Sequence, residues 1–209
     1  MFIDLVDHLR CPADHAESWL VAAVERMDGR YMAKGSLGCP KCQATYDVRD
    51  FVAYFAPDPV VTALVRQTQR ADDEAVVRLA ALLDLRTAGG FVGLAAGWAA
   101  FAAPLALAFD VHCVVLDSAG QGVPGDGLSV LSVGERIPLA PASLRALALD
   151  GPSVAISSAV RAVKAGGRVT GPAALAIPDG VGELARDATD WVGECGAAPS
   201  SLVGITRGR

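Results

Sequence analysis

The stretch Phe91-Val92-Gly93-Leu94-Ala95-Ala96-Gly97-Trp98-Ala99 begins as a short apolar run and turns at a glycine into alanine-rich sequence that continues through Pro104 to Phe109. A second apolar run, His112-Cys113-Val114-Val115-Leu116-Asp117, follows directly. Runs of this length bounded by turn residues predict strands, and the residues between them predict a helix over 98–108. The pattern recurs downstream, with strands at Leu128-Ser129-Val130-Leu131, Leu144-Arg145-Ala146-Leu147-Ala148-Leu149 and Arg168-Val169-Thr170, and with helices over 153–164 and 181–194. Strands that alternate with helices need crossover connections, so the fold class is α/β: a doubly wound, mostly parallel sheet covered on both faces.

Working outward, three regions separate by composition. Residues 1–56 hold three of the five cysteines and form a small metal-binding module; residues 57–88 form a helical linker; residues 89–209 carry the sheet domain. Asp58-Pro59 gives the linker a helix-start signal, and Val60, Leu64 and Val65, then Val76, Val77, Leu79, Ala80 and Leu83, recur at helical spacing. At the far end, Leu202, Val203 and Ile205 predict a closing strand, with Arg207 and Arg209 in solvent.

The residues from Ala88 to Phe109 carry no charge, a length that could cross a membrane. Their alanine and glycine content gains little on transfer to lipid, and Pro104 interrupts them, so a buried strand turning through Gly97 into a buried helix is the expectation. The N-terminus carries Asp4 and Asp7 where a signal peptide needs positive charge, and an odd cysteine count reads as thiols or metal ligands; both point to a cytoplasmic protein. Net charge is −5, and residues 1–50 have six Lys/Arg against eight Asp/Glu, which argues against nucleic acid as a partner.

Cys39-Pro40-Lys41-Cys42 is a C-x-x-C knuckle, and Cys11-Pro12-Ala13-Asp14-His15 offers a thiolate with a carboxylate at plus three and an imidazole at plus four. Zinc in a structural site takes four tetrahedral ligands, mostly thiolates and imidazoles. Cys11, His15, Cys39 and Cys42 are the expected set, with Asp14 as the competitor to His15 because it holds the spacing of a second C-x-x-C. A redox pair or ordinary cysteines at turns are the competing readings. A redox pair normally sits beside a βαβ unit, which this region lacks. With four protein ligands the metal's role is structural. Cys113, inside an apolar strand, reads as a buried hydrophobe.

Leu9-Arg10-Cys11-Pro12 and Gly38-Cys39-Pro40-Lys41-Cys42-Gln43-Ala44-Thr45-Tyr46-Asp47-Val48-Arg49-Asp50 resemble the zinc-binding domain of tRNA-methyltransferase activator proteins. Downstream, Ala162-Val163-Lys164-Ala165-Gly166-Gly167-Arg168-Val169 is similar to the turn before the fifth strand of class I S-adenosylmethionine-dependent methyltransferases. Glu135-Arg136-Ile137-Pro138-Leu139-Ala140 with Ser143-Leu144-Arg145-Ala146-Leu147 resembles the segment around that family's fourth strand. The likeness implies a Rossmann-like sheet whose first strand ends in an acid and three glycines. On that motif this chain places Gly93 for the acid and Ala95, Gly97 and Ala99 for the glycines. The acid that meets the adenine aligns with Val133, while the acid after the second strand, which accepts from ribose hydroxyls, is retained as Asp117.

Gly97 and Asp117 are therefore the candidate cofactor contacts. No catalytic residue emerges: Asp150-Gly151-Pro152 lacks the motif for amino-group methylation, no histidine lies beyond His112, and no G-x-S-x-G or P-loop is present. The expected function is a non-catalytic, methyltransferase-like zinc protein with an eroded S-adenosylmethionine site, acting through a protein partner or as a homodimer. An active small-molecule methyltransferase with a divergent cofactor loop is the alternative, since the cofactor itself carries most of that chemistry.

Overall fold

In a computed structural model, the structure describes residues 1–56, 71–117, 125–151 and 154–196. The described chain forms strands β1 (Val21–Asp28), β2 (Tyr31–Gly38), β3 (Thr45–Arg49) and β4 (Val52–Tyr54), then helix α1 (Asp73–Leu82) and β5 (Phe91–Ala95). A 3-10 turn (Ala96–Phe101) leads into α2 (Ala102–Phe109), followed by β6 (His112–Asp117), β7 (Leu128–Ser132), β8 (Leu144–Ala148), α3 (Ile156–Arg161), β9 (Val163–Pro172), β10 (Val181–Arg186) and β11 (Asp190–Cys195). All the strands belong to one sheet of order β1-β2-β3-β4-β7-β6-β5-β8-β9-β11-β10.

The centre of that sheet is parallel, from β4 through β7, β6, β5 and β8 to β9. The chain runs from β5 outward to β6 and β7, then returns to place β8 on the other side of β5. The reversal makes a topological switch point between β5 and β8, where open α/β sheets bind ligands beyond the strand ends. Both faces are covered, which makes the sheet a doubly wound, Rossmann-like one. Leu79 and Leu83 at α1 and Phe101 and Leu105 around α2 pack on Val92, Leu94, Cys113, Val115 and Ala148. On the opposite face, α3 supplies Ala159 and Val160 and the N-terminal segment supplies Leu5 and Leu9 against Val114, Leu116, Leu131 and Leu147. Double coverage explains why the central strands read as continuous apolar runs. Because β4 pairs with β7, the sheet runs unbroken from the N-terminal strands into the parallel core.

Pro104 falls in the first turn of α2, where its missing N–H needs no partner, so it begins a helix rather than breaking one. No helix among the described residues is long and apolar enough to cross a membrane. The helix of the linker is observed only over α1, where the Asp72 carboxylate accepts from the Ala75 amide as an N-cap; Asp58, Pro59 and the apolar positions up to residue 70 lie outside the described residues, as does the closing strand at 202–205. The helix expected over 153–164 is limited to α3, because the chain turns extended at Val163. There Gly167 approaches the carbonyls of Arg145 and Lys164 so closely that an added Cβ would lie 2.7 and 2.8 Å from their oxygens.

One expectation is corrected outright. Residues 181–194 are a hairpin, β10 and β11, not a helix. The Asp187 carboxylate accepts from the amides of Thr189 (2.7 Å) and Asp190 (2.9 Å), which closes the turn. β11 then lies between β10 and β9, with Trp191 fully buried. Two ladders and that burial outweigh the helix propensity of Glu, Leu and Ala. Arg78 of α1 fastens the turn through Asp187 (2.8 Å) and Asp190 (2.9 Å).

His112 opens β6 with its Nε2 2.9 Å from the Ser129 hydroxyl and its ring stacked on Phe2 at 4.6 Å between centroids. Burial is the main cause that lowers its pKa to about 4. A depressed histidine pKa means the unfolded chain binds the proton more readily, so its contribution to stability is complete above about pH 6.5 and is lost as pH falls towards 4. Unfolding free energies of His112→Asn and the parent protein, measured between these pH values, are expected to show a steeper decline for the parent, by an amount on the order of 2 kcal/mol. Parallel declines would contradict the assignment.

Candidate metal centre and the crevice at the switch point

The loop carrying Cys11 and His15 is pinned at its ends. The Cys11 amide donates to Ser18 O, and Arg10 bridges to Trp19 as an isolated antiparallel pair. Opposite it, β2 and β3 pair in register and hand the chain through residues 39–44. In that tight knuckle the Cys39 amide donates to Ala44 O and the Gln43 amide to Cys39 O, with Gln43 in the left-handed region at φ 63°. The two segments meet so that one ligand atom from each of Cys11, His15, Cys39 and Cys42 lies within 4.8 Å of the others.

The separations can be compared with those a zinc ion requires. Zn–S bonds of about 2.3 Å and Zn–N bonds of about 2.05 Å at tetrahedral angles give edges of roughly 3.75 Å between two sulfurs and 3.55 Å between sulfur and nitrogen. The Cys11 and Cys42 sulfurs are 3.7 Å apart, and the Cys39 sulfur is 3.6 Å from His15 Nε2. His15 Nδ1 lies 2.6 Å from Ala16 O; donating a proton there leaves the Nε2 lone pair directed at the cluster. Asp14 points elsewhere, 93% exposed and paired with Arg136 at 3.0 Å. The four side chains thus fit a tetrahedral zinc ion, and zinc there would join the 11–18 loop to the β2–β3 knuckle.

The surroundings favour ionised thiols unequally. Burial opposes ionisation of Cys39, but the amides of Cys42 and Lys41 and the side chains of Ser18 and Cys42 prevail and bring its pKa to about 6. Burial keeps the Cys11 thiol above its ordinary range despite the Tyr46 hydroxyl, 3.3 Å away, which can donate to the sulfur. Tyr46 was legible in the sequence only as part of the second knuckle's tail; its approach to Cys11 required the hairpin register. Cys113 and Cys195 lie apart from the cluster and are buried, and burial pushes the Cys113 thiol up to about 12.

At the switch point, Gly97 sits beyond the C-terminal end of β5 and Asp117 at that of β6, just past Ala95 and Leu116, the last pair of the ladder between these strands. The Gly97 amide, a donor that a ligand could use, is taken by the chain itself: it donates to Asp150 Oδ2 at 2.5 Å, and the Asp150 side chain fills the space where a Cβ on Gly97 would stand. Trp98 completes the closure. It is 5% exposed, and its indole N–H donates to Leu149 O at 2.9 Å. Asp117 and Val133 are both buried. The sequence signalled the bulk of Trp98, but the capture of the Gly97 amide by a residue 53 positions later follows only from β8 lying beside β5.

No protein-family model matches the sequence, and no curated protein is similar to it. Solved structures give distant matches. The chain is similar to an S-adenosylmethionine-dependent O-methyltransferase from Thermotoga maritima (12% identity, 78% of each chain, TM-score 0.42). It is also similar to the N-methyltransferase NodS from Bradyrhizobium japonicum WM9 in complex with S-adenosyl-L-homocysteine (13% identity, 57% of this chain and 84% of that one, TM-score 0.39). A third match is a Haemonchus contortus phosphoethanolamine N-methyltransferase in complex with S-adenosyl-L-methionine (13% identity, 47% of this chain, TM-score 0.38); the chain spans 27% of that enzyme, and 45% of another match, from Galdieria sulphuraria. At these identities and scores the likeness assigns no activity, and the fold rests on the strand order and the covered faces described above.

Proposed function

We propose that this chain is a non-catalytic, methyltransferase-like zinc protein that works by binding a protein partner or a second copy of itself. The observation that carries this reading is the closure of the switch-point crevice by Asp150 and Trp98. A cofactor's polar end would have to displace a carboxylate already held by the Gly97 amide, and the motif acid that would compensate is Gly93. Zinc on Cys11, His15, Cys39 and Cys42 has a structural role in this reading, since four protein ligands leave no open position for chemistry. The edge strand β1 supports the partner: Val21 is 62% exposed, with Val24, Met27 and the neighbouring Trp19 also open to solvent.

The alternative, an active enzyme, is favoured by Asp117, a carboxylate kept at the C-terminal end of β6 where a ribose would lie. Calorimetric titration of the zinc-loaded protein with S-adenosylmethionine and S-adenosylhomocysteine separates the two. No binding up to millimolar cofactor is expected. Micromolar binding that weakens at least tenfold, about 1.4 kcal/mol, in Asp117→Ala would overturn the eroded-site reading and favour the enzyme instead.

A further inference from the structure

A cavity of about 520 Å³ opens beside the metal cluster, between the 10–17 loop, the loop that follows β7 and helix α3. Its volume falls within the range of small-molecule sites, and the two core segments around it follow the C-terminal ends of parallel strands, the usual ligand side of such sheets. Three arginines from three separate segments line it: Arg10, Arg136 and Arg161. The hydroxyls of Ser157 and Ser158 line it as well; the Ser158 oxygen accepts from the Ile137 amide, which leaves its proton free to donate outward.

Arg10 is the unusual member. It is 8% exposed, its guanidinium lies against the Trp19 ring, and its one side-chain hydrogen bond among the described residues runs from Nη1 to Leu9 O at 2.9 Å. A guanidinium has five N–H donors. Among the described residues Arg10 forms no ion pair within 4 Å, and most of its guanidinium donors have no protein partner, although the charge of Glu17 acts on it. The other two guanidiniums are paired at the rim, Arg136 with Asp14 (3.0 Å) and Arg161 with Glu17 (3.3 Å). Both are exposed pairs, and pairs of that kind contribute little and exchange readily. Glu17 and Glu135 also line the cavity, so an anion bound there must compete with their carboxylates for the guanidiniums.

We propose that this cavity binds a phosphate group, free or as the monoester of a small molecule, with Arg10 as its buried anchor and Arg136 and Arg161 closing on it from the rim. Phosphate presents three or more acceptor oxygens, which suits three guanidiniums arriving from different directions and two hydroxyls; a carboxylate presents two. The site is separate from the closed crevice at Gly97 and does not depend on the reading of that crevice.

The test is titration of the zinc-loaded full chain with inorganic phosphate at constant ionic strength, read by tryptophan fluorescence and by calorimetry. Trp19 is 56% exposed and carries Arg10, whereas Trp98 and Trp191 are buried, so the optical change should be saturable and should vanish in Trp19→Phe while the heat of binding persists. Arg10→Met should weaken binding at least tenfold; because Arg10 is buried, Arg161→Gln at the exposed rim provides a second measurement, expected to weaken it about fivefold with an unchanged unfolding midpoint. Tighter binding of a simple phosphomonoester than of phosphate assigns the cavity to an esterified ligand, and the reverse order to the free anion. The proposal is overturned if acetate or chloride gives the same response at equal ionic strength, if no saturable binding occurs, or if Arg161→Gln binds as the parent does.

Discussion

Stripping the metal from the zinc-loaded protein with a chelator is expected to lower its thermal unfolding midpoint by about 10 °C or more. At 2–4 °C per kcal/mol for a domain of this size, 10 °C corresponds to a loss of about 2.5–5 kcal/mol. Zinc binding at structural sites is worth far more than this in isolated peptides. Here part of the stability comes from packing rather than from the metal, because β2, β3 and β4 join the main sheet and Met32, Leu37 and Val48 are fully buried. What the metal adds is the link between the 11–18 loop and the knuckle, whose Cys11 and Cys39 are buried at 8% and 2% exposure. Cys39→Ser should reproduce the loss in the presence of zinc. His15→Ala should weaken zinc binding at least tenfold while Asp14→Ala leaves it unchanged, since Asp14 is turned to Arg136. A midpoint indifferent to chelation, or an Asp14 variant that loses metal, would remove the assigned ligand set.

The second large effect is expected at Gly93. Gly93→Asp restores the acid that the resemblance places at the end of the first strand, yet it should destabilise the protein by about 4 kcal/mol or more, and it should not confer cofactor binding. A Cβ at Gly93 would lie 2.7 Å from Leu144 Cδ1 and 2.9 Å from Leu147 Cδ1, and both leucines are fully buried. The carboxylate would therefore enter an apolar contact between β5 and β8 that offers no cation, and an unpaired buried charge costs several kcal/mol. Urea unfolding of the variant against the parent measures the effect. An unchanged midpoint would mean that the contact between the strands yields easily and that the crevice is less fixed than the packing indicates.

These two results bear on how much of the molecule could be read beforehand. β6 spans the residues expected of it, and β5, β7 and β8 differ by a residue at one end, because strands buried on both faces need uninterrupted apolar side chains. Chemistry narrows the candidate metal ligands to four residues and one competitor. Choosing between Asp14 and His15 needed the loop conformation, in which the pinned Arg10–Trp19 pair turns His15 inward and leaves Asp14 in solvent. The hairpin at 181–195 is not legible from its own residues, because its local sequence favours a helix. Its burial partner, Pro172 to Arg168 of β9, is distant in the sequence, and no window of neighbouring residues contains it.

The family resemblance marks the glycine motif of a cofactor loop as incomplete; residue types and their spacing alone determined that the chain builds a parallel sheet with helices between its strands and that two cysteine-bearing turns carry residues able to ligate a metal. Those features depend on local periodicity and ligand chemistry, which a linear sequence carries in full. Tertiary structure decided what fills the gaps: Asp150 on the Gly97 amide, Trp98 against Leu149, Tyr46 against Cys11, and Arg10 buried at a cavity shared with Arg136 and Arg161. Each is a contact between segments brought together by strand order or by the N-terminal layer on the sheet. Such contacts are set by which strand lies beside which, and the cost of leaving a buried donor or cation unmatched then selects the partner.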